Sequence, residues 1–320
     1  MDSVKINKFG ISFESCCLAD NKRWFFFNEY NALCNMDPDT NIINYSGSVP
    51  WENVFTKYLF ADIQYFNGIL LLVPRGASSI ALYNIKEKTF HKIELKKIET
   101  KSKNSYVSWM KFICSVIVDN SIYMIPRTYP AIVELNLITY QLDYHNQWVS
   151  EADERLFENE AFFWSDYVVK GKTIILASAN GDYLLSFDTI KKSYKIIDCN
   201  NNWNGFSGIE VLEENLLLTG RKDGIIKLWD SKNNTIRDFG QLPQGFFVHK
   251  IIGFSKLMRI GSSILAIPLW ANMLLKIDPD QETIVCLKEY DEERNGSEEI
   301  AVCCAWVEEG KLYCHNNILK

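Results

Sequence analysis

The sequence predicts an all-β fold built as a β-propeller, and three observations carry that prediction. One frame recurs six times without a gap: an aromatic residue is followed 24 positions later by aspartate or asparagine, in Phe13/Asp37, Phe60/Asn84, Phe112/Asn136, Trp164/Asp188, Phe206/Asp230 and Phe254/Asp278. The units start 47, 52, 52, 42 and 48 residues apart, close to the roughly 40–50 residues of propeller blades and longer than most helical repeats. Each unit also carries apolar runs of strand length and β-branched content, such as Leu70 to Val73, Ile122 to Ile125, Ile174 to Ala177, Leu216 to Thr219 and Ile264 to Ile267.

Within a unit the elements follow in order. In the third unit Phe112 to Val118 makes the innermost strand, Asp119-Asn120 turns, and Ile122 to Ile125 is the second strand. Pro126 to Pro130 turns, Ala131 to Leu135 is the third strand and Tyr140 to Tyr144 the outer one. The reversal after the second strand falls 14 residues past the aromatic, at Phe27, Pro74, Pro126, Ser178, Gly220 and Pro268. The anchor Asp or Asn opens the last turn, where its side chain can accept hydrogen bonds from backbone N–H groups ahead of it. This assigns the anchor acids a structural role.

The blade units run roughly 9–48, 58–96, 110–146, 162–199, 204–240 and 251–288. Past them, Ala301 to Val307, a Glu-Glu-Gly turn at Glu308 to Gly310, and Lys311 to Cys314 make half of a seventh unit, 299–320. Residues 1–8, through Val4 to Lys8, supply its missing outer strand, which removes sheet edges. The expected architecture is one domain over 1–320 with seven blades, the last closed by both termini; six blades plus a terminal hairpin is the alternative.

Composition agrees with a packed repeat array. Hydrophobic residues make up 47% and aromatics 13%, enough to fill the wedges between radial sheets. The net charge of −6 argues against nucleic acid, whose binding leaves a basic stripe. The start, Met1-Asp2-Ser3-Val4-Lys5, lacks the basic end and apolar run of a secretory signal, and no apolar run approaches the roughly 20 residues of a membrane span. Nine cysteines without a C-x-x-C pair read as reduced core thiols. A cytoplasmic monomer without membrane contact is expected.

Asp223-Gly224-Ile225-Ile226-Lys227-Leu228-Trp229-Asp230 resembles the end of a WD-repeat blade, with Gly before the third strand and Trp-Asp at its close. The other copies end in Met36-Asp37, Tyr83-Asn84, Leu135-Asn136, Phe187-Asp188 and Ile277-Asp278, and Gly-His is missing throughout. The chain is thus similar to divergent WD-repeat-like propellers over its blades, and in motif over one of them. That resemblance implies a binding or scaffold role, because the family is generally non-catalytic.

Antiparallel blades bring the second-to-third-strand loops and the inter-blade connections onto one face. There, the position just after the reversal holds Asn28, Arg75, Arg127, Ala179, Arg221 and Leu269. Arg75, Arg127 and Arg221 are candidates to hold a carboxylate or phosphate, because guanidinium offers a planar fork of donors. Tyr129, Trp109 and Trp270 in the same loops are candidates for apolar contact, since binding hot spots favour aromatics beside arginine. Two residues past the repeated aromatic, Asp62, Asp166 and Lys256 form a polar row that would line an axial channel, as a hydrated structural network or, with burial, as acid/base groups.

The sequence has no H-E-x-x-H, G-x-S-x-G, P-loop or G-x-G-x-x-G, and its four histidines occupy unrelated repeat positions. No catalytic residue, metal or other cofactor is implied. The expected function is a non-catalytic propeller that recognises a protein, peptide or anionic glycan on its loop-rich face. The alternative is an enzyme acting on a carbohydrate or other anionic small molecule at the channel mouth.

Overall fold

The computed structural model of the chain describes residues 5–7, 12–98, 110–153, 164–199, 205–290, 300–302, 304–308 and 310–315. Strand β1 (Lys5–Asn7) comes first, and six four-stranded antiparallel sheets follow, each taken in chain order. They are β2 (Cys16–Ala19), β3 (Lys22–Phe26), β4 (Leu33–Met36), β5 (Ile43–Gly47); β6 (Phe60–Phe66), β7 (Ile69–Pro74), β8 (Ser79–Asn84), β9 (Thr89–Glu94); and β10 (Phe112–Val118), β11 (Ser121–Pro126), β12 (Ile132–Asn136), β13 (Leu142–His145). After a short helix α1 (Val149–Asp153) come β14 (Trp164–Lys170), β15 (Thr173–Ser178), β16 (Tyr183–Asp188), β17 (Ser193–Asp198); β18 (Phe206–Leu212), β19 (Asn215–Gly220), β20 (Ile226–Asp230), β21 (Thr235–Asp238); and β22 (Phe254–Ile260), β23 (Ser263–Pro268), β24 (Met273–Asp278), β25 (Thr283–Glu289).

The chain forms two compact units, residues 11–146 and residues 147–320 with 1–10. In the first, β2 packs on β6 and β6 on β10; in the second, β14 packs on β18 and β18 on β22. Successive sheets therefore meet through their first strands, as propeller blades do.

The repeated aromatic opens the first strand of five sheets. It faces the residue 14 positions later, which closes the second strand: Phe60 opposite Pro74, Phe112 opposite Pro126, Trp164 opposite Ser178, Phe206 opposite Gly220, Phe254 opposite Pro268. In all five the register slips right after the aromatic, leaving Ala61, Ile113, Ser165, Ser207 and Ser255 as the extra residue of a β-bulge. A bulge bends the strand and re-aims the next side chain. That next residue is Asp62, Cys114, Asp166, Gly208 or Lys256, the polar row of the sequence.

The anchor acids cap the turn between the third and fourth strands. In all six sheets the side-chain oxygen accepts the N–H groups two and three residues ahead, at 2.8–3.2 Å: Asp37, Asn84, Asn136, Asp188, Asp230 and Asp278. The residue four past the anchor then turns left-handed, with φ of 50–58° at Asn41, Lys88, Tyr140, Lys192, Asn234 and Glu282. Asparagine tolerates this region and tyrosine does not. Tyr140→Gly should therefore raise stability by about 0.5–1 kcal/mol, the net of relieved strain and added chain entropy. An unchanged or lower urea midpoint would refute this.

Cores lie between consecutive sheets of a unit. Trp24, Phe26, Phe60, Leu70 and Tyr83 fill the first gap of the 11–146 unit, and Leu71, Phe112, Met124, Tyr129 and Val133 the second. In the other unit Val168, Phe206, Leu218 and Trp229 fill one gap, Leu217, Phe254, Ala266 and Leu275 the next, and Ile260, Leu265, Tyr290 and Val302 the third. Second strands are buried on both faces, which explains their unbroken apolar runs. Trp164 is fully buried, edge-on to Trp148 at 5.5 Å, so both tryptophans are core.

The remaining sheet has three strands in the order β1, β27 (Lys311–His315), β26 (Cys304–Glu308). β1 runs parallel to β27, with Ile6 opposite Cys314. The N-terminal strand was expected to supply the outer strand of the last sheet, and β1 forms its edge, beyond β27. The described cysteines are all free thiols, and burial pushes Cys17, Cys34, Cys199 and Cys314 up to about 12, leaving them unreactive. No helix among the described residues is long and apolar enough to cross a membrane.

Candidate interaction surface

The position after the second strand does structural work through its backbone. Its N–H bonds to the residue preceding the anchor aromatic of its own sheet: Asn28 to Ser12, Arg75 to Leu59 and Arg127 to Lys111 at 2.8 Å, Arg221 to Gly205 at 3.1 Å, Leu269 to Gly253 at 2.9 Å. Its carbonyl accepts from the next sheet: Arg75 from Lys111 at 2.9 Å, Arg221 from Gly253 at 3.0 Å, Leu269 from Ala301 at 2.9 Å. A hydrogen-bonded belt thus seams adjacent sheets within each unit, and the arginine side chains hang from it.

In the 11–146 unit the belt brings Arg75 and Arg127 together on adjacent sheets, with Lys111 between them in the chain of bonds. Arg75 pairs with Glu14 and lies over the Tyr58 ring, 4.7 Å from its centre. Burial, and the Arg127 charge after it, push the Arg75 guanidinium down to about 9. Lys111 is 9% exposed, and burial lowers its ammonium too.

Beside this cluster stands an ordered loop, residues 48–59. Asn31, 1% exposed, clamps it: the amide nitrogen donates to the carbonyls of Val49 and Glu52 at 2.9 Å, the amide oxygen accepts from Val49 N–H at 2.9 Å, and Asn31 N–H donates to Val54. Asn53 caps the tip by accepting from Phe55 N–H, and Glu52 accepts from the backbone and hydroxyl of Ser78 at 2.7 and 2.6 Å. The loop so held presents Val54, Phe55 and Tyr58 to solvent, with Tyr30 from the neighbouring turn; Phe55 is 77% exposed. Inspection of the sequence missed these four residues and Lys111. The available signal was Asn31 itself, which shares its repeat position, 18 past the aromatic, with Asn272.

Asn272 plays a matching part in the other unit. It is 1% exposed and holds Gly245 and Phe247 through its amide at 2.9 Å. Nearby, Trp270 is half-buried under the Lys250 ammonium, 4.2 Å from the ring centre. Arg221 lies in this unit as well and donates to the carbonyl of Ala179 at 2.8 Å and to the Asn180 side chain.

Two aromatic candidates fare differently. Tyr129 is 3% exposed, packs on Phe112 and donates its hydroxyl to the Lys96 carbonyl, so it belongs to the core and not to a contact surface. An aromatic three residues before the third strand tucks inward here, into the cluster around Phe112. Trp109 lies outside the described residues.

The polar row is satisfied internally. Asp62, 7% exposed, accepts from Ser15 hydroxyl, Ile63 N–H at 2.9 Å, Gln64 amide at 2.9 Å, and Ser115 N–H and hydroxyl at 2.8 and 2.7 Å. It bridges three successive sheets of its unit. The crevice at its side, lined by Glu14, Ser15, Phe60 and Asp62, measures about 10 Å³, room for about one water and far below the roughly 300 Å³ of a small-molecule site.

Asp166 repeats the pattern in the other unit, accepting from Ile209 N–H at 3.0 Å and from Tyr167 and Leu257 N–H. Burial raises its carboxyl to about 7 against the lowering by these donors and by Lys256. The bulge aims each carboxylate at the N–H just past the matching position of the next sheet. Lys256 does the converse, donating to the Ala305 carbonyl at 2.8 Å.

No protein-family model matches the chain, and no curated protein sequence does. Solved structures do match. Virginiamycin B lyase from Staphylococcus aureus aligns at TM-score 0.68 and 10% identity, over 97% of this chain and 93% of that one. A chain of the mitotic checkpoint complex aligns at TM-score 0.57 and 10% identity, over 89% and 79%. The extracellular domain of a one-component system from B. thetaiotaomicron aligns at 0.62 and 10% identity over 96% of this chain, which spans 38% of that protein's chain. These likenesses show the fold: the chain is a β-propeller-like protein.

Proposed function

We propose that the chain is a non-catalytic, divergent WD-repeat-like propeller of seven blades whose loop face binds a protein or peptide. One observation carries this reading: the Asn31-clamped loop displays Val54, Phe55 and Tyr58 to solvent, against Arg75. Exposed apolar side chains grouped on a rigid support, next to arginine, have the make-up of an interaction hot spot. A loop ordered in advance also spares the partner the entropy cost of ordering it. The Phe and Val character supports a protein or peptide over an anionic glycan.

The test is affinity capture from source-cell lysate with wild-type chain, Phe55→Asp and the triple variant Arg75→Ala, Arg127→Ala, Arg221→Ala, each checked by circular dichroism. Loss of one hot-spot aromatic, with a carboxylate put in its place, should weaken capture at least about thirtyfold. A partner retained equally by all three proteins rules out this face. Capture of nothing macromolecular favours the enzyme reading instead. That reading draws on Asp166, whose carboxyl at about 7 suits proton transfer near neutrality. It requires a substrate to reach a residue that is 8% exposed.

A further inference from the structure

We infer that Arg75, Lys111 and Arg127 form a carboxylate-reading site beside the Phe55 loop, so that the segment docking there is a short peptide pairing an apolar residue with an acidic one. The inference rests on the reading above and names its ligand class. The three cations are not a chance cluster of mobile side chains. Lys111 N–H holds the Arg75 carbonyl at 2.9 Å, and the Lys111 carbonyl accepts from Arg127, Thr128 and Tyr129 at 2.8, 3.3 and 3.2 Å. One run of backbone bonds across two sheets therefore fixes the spacing of their backbones.

The side chains they carry are half-buried or buried, and the like charges of Arg75 and Arg127 act on one another. Three cationic residues on adjacent sheets attract an incoming anion by charge complementarity. What kind of anion fits is visible at Arg75, which already receives the carboxylate of Glu14. Glu14 and Glu52, the latter acting on Lys111, would repel the continuous charge of a nucleic acid backbone, which favours a single carboxylate as the ligand.

The apolar partner of that carboxylate is placed by Tyr58. Its ring lies under the Arg75 guanidinium at 4.7 Å and is 39% exposed, continuing into Val54 and Phe55 at 54% and 77%. A peptide laid along this line meets cation and apolar surface within a few residues.

The experiment is selection of a phage-displayed random 16-residue peptide library on the full chain, as wild type, Arg127→Gln, Arg127→Lys and Phe55→Asp. Wild type should enrich peptides with Asp or Glu close to a large apolar residue, and Phe55→Asp should enrich none. For a synthetic peptide of the winning sequence, changing its acid to the amide should weaken wild type about tenfold and Arg127→Gln less than about twofold, the signature of a direct coupling. Arg127→Lys, which keeps the charge but loses the fork, should lie between them.

An equal penalty on all variants, or enrichment of apolar peptides with no acidic bias, overturns the carboxylate site while leaving apolar docking intact. Absence of enrichment over Phe55→Asp overturns both. A phosphoserine in place of the acid that binds about tenfold tighter, and loses this gain in Arg127→Gln, assigns the site to phosphate and overturns the choice of carboxylate.

Discussion

Asp62→Ala is expected to destabilise the 11–146 unit by about 3–5 kcal/mol, because the change strips the acceptor from several buried donors at once. The donors come from three sheets: Ser15 ahead of β2, Ile63 and Gln64 in β6, and Ser115 in β10. Hydroxyls can rotate and Gln64 can turn its amide, so these recover partners. The backbone N–H groups of Ile63 and Ser115 cannot. Asp62→Asn should cost less, about 1–3 kcal/mol, since the amide keeps one oxygen and opposes only one fixed N–H with its own. Urea unfolding of the two variants checks this ladder. Equal losses would mean that packing, and not acceptor count, sets the role of Asp62.

The second large effect is a dependence on pH from Asp166. Its carboxyl stands at about 7 in the folded chain against 3.8 for the free group. A raised folded value means the native state holds the proton more tightly than the unfolded chain. The stability contribution is then full below about pH 4 and is lost as pH rises through 7. Over that window the loss is on the order of 4 kcal/mol, from about three units at 1.36 kcal/mol each. Asp166→Asn resembles the protonated acid and should remove this slope. Urea midpoints at pH 4.5 and 8.0 for both proteins provide the measurement. The wild type should lose more than the variant on going to pH 8.0, and parallel profiles would refute the assignment.

The fold was legible because the repeat is local. An aromatic, a reversal 14 residues on and an acid 24 residues on mark the start of the first strand, the end of the second and the close of the third. Burial and turn chemistry need those residue types there. The bulge after each aromatic left a trace as well, in the small or polar residues that follow it. Their purpose was harder to see. Asp62 and Asp166 looked like channel-lining groups because some of the N–H groups they accept from, those of Ser115 and of Ile209 and Leu257, lie in other sheets, and no spacing along the chain reveals those partners.

The interaction surface was the least legible. Phe55 and Tyr58 sit in a stretch with no periodicity, and only the non-local clamp from Asn31 turns that stretch into a platform. Tyr129 misled for the opposite reason: an aromatic in a loop reads as exposed until the core behind it is known.

The belt of backbone bonds has a consequence for how such a protein diversifies. At Asn28, Arg75, Arg221 and Leu269 the backbone part of the seam between sheets is made by N–H and C=O groups, which almost every amino acid possesses. The backbone bonds therefore place little constraint on which side chain these positions carry, whereas the side-chain bonds of Asn28, Arg75 and Arg221 add a constraint of their own. Selection for new ligands can alter side chains in the row while the backbone seam persists, and proline, which lacks the N–H, is the substitution the row should not tolerate.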